Sequence, residues 1–176
     1  FTGDQGRQVI DELYSSTQPA GPALEKTGCH KLPVTQMLIH AGRPQVVQAI
    51  RIPVLVELAA NGNAMIEVVA AVGDTLVELT PVLRVHGAGQ PLDESALRSV
   101  IEVGDERTFE QDPKYPLRLM VDIAIKALSP AINDPTTAVQ ALDHIEDLLV
   151  RLGRCRLETG GFCDAQGQLR VLVPFP

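Results

Sequence analysis

Apolar positions along this chain follow two rhythms, and the change between them falls near Asp93. From Gly42 to Val85 the apolar runs are short and punctuated. Val46–Ile50 has strand length, Ile52–Ala60 (IPVLVELAA) suits a short helix opened by Pro53, and Asn61-Gly62-Asn63 is a turn. Ala64–Val72 is apolar and β-branched up to Gly73-Asp74; Thr75–Thr80 alternates until Pro81 breaks it, and Val82–Val85 resumes. From Asp93 the spacing is helical. Asp93 can cap a helix from Glu94 to about Glu102, with Ala96, Leu97, Val100 and Ile101 inward. Leu117, Val121, Ala124, Ile125 and Leu128 share one face of a helix that follows Pro116 and stops at Ser129-Pro130. Asp134 followed by Pro135 is a helix start, and Ala138, Leu142, Ile145, Leu149 and Leu152 recur at helical spacing to Gly153. Turns at Gly160-Gly161 and Asp164–Gly167 precede Leu169–Val173, which reads as a terminal hairpin. Residues 6–14 read as the tail of a helix, and Ser15–Pro33 as a Pro- and Gly-containing linker.

The expected fold class is α+β, with a small β region, then a helical region and a terminal hairpin. Three segments follow: 1–41 as helix tail and linker, 42–92 as a β-rich subdomain, and 93–176 as a helical subdomain ending in the hairpin. Val72-Gly73-Asp74-Thr75-Leu76 followed by Pro81-Val82-Leu83-Arg84-Val85 resembles the barrel-sandwich hybrid of lipoyl, biotinyl and efflux-adaptor domains. Asn61-Gly62-Asn63 holds no Lys of the kind the lipoyl and biotinyl members modify at a hairpin tip, so swinging-arm chemistry is not expected.

Composition narrows the functions. Of 176 residues 45% are hydrophobic but only 3% aromatic, with no Trp, so Val, Leu, Ile and Ala must build the core. Few stacking platforms and a net charge of −7 argue against nucleic acid as a partner. No apolar run approaches the roughly 18 residues of a membrane helix, so the chain reads as a water-soluble portion. Phe1 and the C-terminal Val173-Pro174-Phe175-Pro176 both look like cuts through a longer protein. Three cysteines, Cys29, Cys155 and Cys163, are too few for a disulfide-stapled domain and fit free thiols; a bridge between Cys155 and Cys163 is the lesser reading.

The most distinctive stretch runs from Glu106-Arg107-Thr108-Phe109-Glu110-Gln111-Asp112-Pro113 through Leu117-Arg118 and Val121-Asp122 to Ala127-Leu128-Ser129-Pro130-Ala131-Ile132-Asn133-Asp134-Pro135-Thr136-Thr137-Ala138. It resembles the signature of a bacterial family of predicted membrane proteins carrying a domain of unknown function. The match covers about 35 residues, with looser similarity back to Gln45. Upstream the chain departs: Pro44-Gln45-Val46 stands where the family tends to have a Gly-Tyr approach to the first strand. The resemblance implies membrane helices in segments outside this chain, a bacterial inner-membrane location, and a soluble part on the cytoplasmic side. Homo-oligomerisation and an unidentified small ligand stay open.

Arg118, Asp122 and Lys126 recur every four residues and form one charged stripe on a helix. So many polar groups in two helices and their joint suggest a buried network in which Arg118 bonds Asp112, Asp122 or Asp134. The candidate ligand-binding set is Arg107, Asp112, Arg118, Asp122, Ser129, Asn133, Asp134 and Thr137. Its carboxylates, Asn and Ser oxygens would suit a hard cation, and its arginines a carboxylate or phosphate. The plain alternative is that Asp134 only caps its helix, accepting a backbone N–H near Thr137. His30, His40, His86 and His144 are scattered, and no phosphate loop, Gly-x-Ser-x-Gly elbow or His-Glu-x-x-His occurs, so no metal or cofactor is expected. A non-enzymatic sensing, regulatory or scaffolding module is therefore the first reading. A hydrolase or transferase with an Asp base and an Arg clamp is the rival, and an accessory part of a transporter the third.

Overall fold

A computed structural model describes residues 2–15, 32–155 and 160–173. The elements run α1 (Thr2–Ser15), β1 (Val34–Ile39), β2 (Gln45–Ile50), α2 (Ile52–Asn61), β3 (Met65–Val68), β4 (Thr75–Leu76), β5 (Pro81–His86), α3 (Glu94–Ser99), β6 (Ile101–Gly104), α4 (Lys114–Ala127), α5 (Pro135–Arg154), β7 (Gly161–Cys163) and β8 (Leu169–Leu172). The class is α+β, as the two rhythms required. Contacts gather the chain into two compact units, one of Phe1–Thr17 with Arg107–Leu157 and one of Gln18–Glu106 with Glu158–Pro176.

The second unit holds two sheets, a five-stranded one ordered β1-β5-β3-β8-β7 and a three-stranded one ordered β4-β2-β6. They share one core with α2 and α3, in which Val47, Leu55, Ile66, Leu83, Leu97 and Val171 are fully buried. The sheets do not close into a barrel. The Gly-Asp turn of the barrel-sandwich likeness is present and has a structural task. Gly73 takes a positive φ of 88°, and its N–H donates to Val47 O at 2.8 Å while Val47 N–H donates to Asp74 O at 3.0 Å. The turn thus holds β4 against β2.

Several boundaries differ from those the sequence suggested. β1 lies inside the segment expected to be linker, where it forms the edge of the larger sheet against β5. The strand expected to reach Thr80 ends at Leu76. Thr80 Oγ1 accepts Val77 N–H at 3.1 Å and Leu79 adopts a φ of 70°, so residues 77–80 make a tight turn instead. The helix capped by Asp93 stops at Ser99, and Ile101–Gly104 pairs with β2, because β-branched Ile101 and Val103 find strand partners there. The terminal hairpin exists, but its strand β8 adds in parallel to β3, so it packs with the larger sheet and with α2.

The first unit is α1 packed on an α4–α5 hairpin. Gly6 permits the approach: a Cβ there would lie 2.9 Å from Pro116 Cβ and 3.0 Å from Leu148 Cδ2. Arg7 Nε bonds Asp147 at 2.7 Å, and Arg151 bonds Asp11 at 2.8 Å, both tying α1 to α5. Within the hairpin the buried residues are Pro116, Met120, Ala124 and Ala127 on α4, with Ala138, Ala141 and Leu148 on α5. Val121, Ile125 and Leu128, and Leu142 and Leu149 on α5, were expected inward and are exposed. Both helices carry an apolar arc wider than one helix–helix seam, and the alanine side lets the backbones come closest.

Among the described residues no helix is long and apolar enough to cross a membrane.

Candidate functional site

The candidate residues fall into three groups along α4. At its start, Asp112 is buried to 2% side-chain exposure. Its Oδ1 accepts Lys114 N–H and Tyr115 N–H, each at 3.1 Å, and its Oδ2 takes Arg107 Nε at 2.7 Å and Nη2 at 2.6 Å. It therefore caps α4 while holding the Arg107 guanidinium. That guanidinium lies 5.4 Å over the Tyr115 ring, and the Tyr115 and Phe109 rings are 4.9 Å apart. Next to them Thr108 Oγ1 is buried with no hydrogen-bond partner. Thr108→Val keeps the shape and removes the unsatisfied hydroxyl, so it should leave stability unchanged or raise it by up to about 1 kcal/mol. Urea titration of the two forms measures this.

At the middle of α4, Arg118 and Asp122 form an ion pair of 3.2 Å on the helix surface, with side chains 69% and 50% exposed. Among the described residues the expected buried network is absent: Arg118 is solvated and bonds only the carboxylate one turn ahead. The alanine seam explains this, because it turns the charged stripe away from α5 and towards water.

At the end of α4 the backbone reverses. Ser129 Oγ donates to Lys126 O at 2.7 Å, Asn133 adopts a φ of 46°, and Asn133 N–H donates to Ser129 O at 2.8 Å. Asp134 N–H closes the turn on Ala127 O at 2.8 Å. The Asp134 carboxylate accepts Thr137 N–H at 3.1 Å and Thr137 Oγ1–H at 2.5 Å, with Pro135 at the first turn. The cap forms as the Asp-Pro pair foretold. With fourteen residues in α4, this cluster and the Asp112 cluster stand about 20 Å apart along the helix. One shared pocket for all eight residues does not form.

Among the described residues, three carboxyl groups are held below their ordinary range by their partners. For Asp134 the main cause is the Thr137 hydroxyl, for Asp147 the Arg7 guanidinium, and for Asp164 the Arg170 guanidinium. A depressed folded pKa adds stability that is present above the ordinary carboxyl pKa and lost as pH falls through the folded value. Melting temperature should therefore decline below about pH 4. Asp134→Asn should flatten part of that decline, as read by thermal unfolding across acid pH.

Other polar features escaped sequence reasoning. Glu67 faces Arg84 across β3 and β5, and its Oε2 lies 3.3 Å from Arg84 Nη1 and 3.2 Å from the Nε2 of buried His86. Only the strand register brings them together, and single-strand patterns do not reveal register. A cleft of about 200 Å³ in the same unit is lined by Leu38, Leu76, Val82 and Val103, with His40 and Arg98. His40 and Arg98 are already engaged, His40 Nε2 with Arg43 O at 2.9 Å and Arg98 with Glu94 at 2.6 Å, and Gln45 also lines the cleft. Among the described residues no three His, Cys, Asp or Glu side chains gather as metal ligands. Cys155 and Cys163 are free thiols, and the Cys29-His30 pair lies outside the described residues.

The chain is similar to known proteins over nearly its whole length. A family model described as "Predicted membrane protein (DUF2254)" matches residues 4–176. The chain is 31% identical to the uncharacterized protein Mb1321c of Mycobacterium bovis and equally to the uncharacterized protein Rv1290c of Mycobacterium tuberculosis. Each match covers 96% of this chain and 33% of the relative, so the chain spans about a third of their length. No solved structure matches it. The signature recognised around Ala127–Ala138 thus belongs to a similarity that runs through both units, and the chain is a member of this family of predicted membrane proteins.

Proposed function

We propose that this chain is an extramembranous module of a bacterial inner-membrane protein, placed on the cytoplasmic side, with a sensing, regulatory or scaffolding role. The observation that carries this reading is how the signature spends its polar groups. Asp112 and Asp134 each fix a helix start, Arg107 is held by Asp112, and Ser129 and Asn133 shape the joint between α4 and α5. Residues used in this way fix one helical framework, which is what a docking or signal-relaying module requires. The rival reading needs an Asp able to take a proton. Asp134 is poorly suited, because the Thr137 hydroxyl and N–H stabilise its anion and weaken it as a base. Mixed charge and an acidic balance fit a module that works beside the membrane surface better than one that lies in it.

Reporter fusions to the full-length protein test the placement. A fluorescent protein fused after this region should fold and fluoresce, and a periplasm-dependent phosphatase fused at the same point should be inactive. An active phosphatase would put the module on the other side. Turnover of generic ester or phosphoester substrates that Asp134→Asn abolishes would replace the binding role with the hydrolase.

A further inference from the structure

The first unit leaves one face uncovered. On α4, Val121, Ile125 and Leu128 lie on one flank of the seam with α5, and Ile132 follows in the joint; on α5, Leu142 and Leu149 lie on the corresponding flank, with Val139 and Val150 further round the helix. All eight are between 40% and 65% exposed. At 100° per residue the α4 set centres about a third of a turn from Met120 and Ala127; on α5, Leu142 and Leu149 lie a little over a quarter-turn from Ala141 and Leu148, and Val139 and Val150 about half a turn, on the far side of Glu146. Because the helices are antiparallel, both flanks turn to the same side of the hairpin. Gly6 of α1 meets Pro116 and Leu148 on the other side. The result is an aliphatic face opposite α1 that runs from Val121, Ile125 and Leu128 to Leu142 and Leu149, at the upper end of what an ordinary monomer surface leaves open.

We propose that this face is a homodimer interface, where a second copy docks the same face across a two-fold axis parallel to the helices and the two hairpins form a four-helix bundle. Three observations choose a second copy. The first is area: six aliphatic side chains near half exposure offer on the order of 600 Å² per copy, at the lower end of the roughly 600–1,000 Å² per partner of a stable interface. The second is self-complementary charge. Pro116 and Leu148 stand at one level, since both meet Gly6. Counting equal rises along the two antiparallel helices then puts Arg118 level with Glu146. In the two-fold arrangement α4 of one copy runs antiparallel to α5 of the other at that same level, so Arg118 faces Glu146 of the second copy twice. Arg118 and Glu146 are both exposed and border the aliphatic face, and Glu146 has Asp143 beside it as a second acidic group. The third is the width of the apolar arcs. Each helix of a four-helix bundle contacts two neighbours, and α4 and α5 carry aliphatic positions for both, alanines inward and Leu, Ile and Val on the flank. A lipid surface fits less well: interfacial helices border their apolar face mainly with Lys and Arg, whereas acidic Asp143 and Glu146 stand beside this one together with Arg118.

Sedimentation equilibrium on the 176-residue chain tests the proposal. The wild type should sediment at twice its 19.0 kDa mass, and Leu142→Glu should sediment as a monomer with an unchanged helical circular-dichroism signal. Arg118→Glu and Glu146→Arg, both on exposed positions that folding tolerates, should each weaken dimerisation about tenfold, and combining them should restore it. A wild type that stays monomeric at every concentration would overturn the proposal, as would a dimer indifferent to Leu142→Glu or charge reversals without mutual rescue. Flotation of the wild type, but not of Leu142→Glu, with phosphatidylglycerol vesicles would assign the face to lipid and overturn it too.

Discussion

Asp112→Ala should lower the free energy of unfolding by about 3 kcal/mol, read as a fall in the urea midpoint followed by helical circular dichroism. The substitution removes two things at once. Lys114 N–H and Tyr115 N–H lose the acceptor that satisfied the first turn of α4, and Arg107 loses a carboxylate bound through both Nε and Nη2. Arg107 keeps 30% side-chain exposure and can regain some water, which holds the loss to the lower end of the range for a broken buried pair. Asp112→Asn separates the two roles. An Asn oxygen still caps the helix, so its cost should be about half as large and should come from the weakened hold on Arg107. Equal losses for Ala and Asn would show that the charge pair alone matters.

Ile66→Ala should cost about 4 kcal/mol, within the range for truncating a fully buried aliphatic. Ile66 sits on β3, the middle strand of the five, between Val85 on the antiparallel side and Val171 on the parallel side. All three are fully buried, so the vacated volume is walled by backbone pairing that cannot easily collapse inward. Ile66→Val removes one methylene and should cost about 1 kcal/mol. The ratio between the two variants, measured by chemical unfolding, reports how rigid the centre of this sheet is. A loss below about 1.5 kcal/mol for Ala would mean that the neighbouring strands move to fill the space.

Local chemistry was readable where a residue acts on its own backbone. Asp93 and Asp134 cap helices because a short carboxylate just before a helical run has few other uses, and Pro135 confirms the position. Asp112 is a cap of the same kind, yet the polar residues of the signature grouped it with a ligand-binding set, and its real task shows only once Arg107 folds back on it. Periodicity placed the apolar faces of α4 and α5 but could not choose which part of a wide arc forms the seam. The small alanines won over Leu142 and Leu149, and the same choice left Arg118 in water. Pairing between distant strands was the least legible level. Nothing near Leu169 announces β3 as its partner, and nothing near Glu67 announces Arg84.

The pairing of β8 with β3 also shapes how the molecule can be made. During synthesis β3 and β5 emerge early and can pair at once, but the other edge of β3 has no partner until residues past Arg154 have left the ribosome. In the meantime α4 and α5 must be synthesised and can assemble with α1, so two folding reactions overlap in time on one chain. Contacts between such distant segments form slowly, and an open strand edge recruits any extended segment within reach. A nascent chain that stalls within α5, or a product cleaved there, keeps that edge open for good, so self-association of such fragments through β3 is their expected fate.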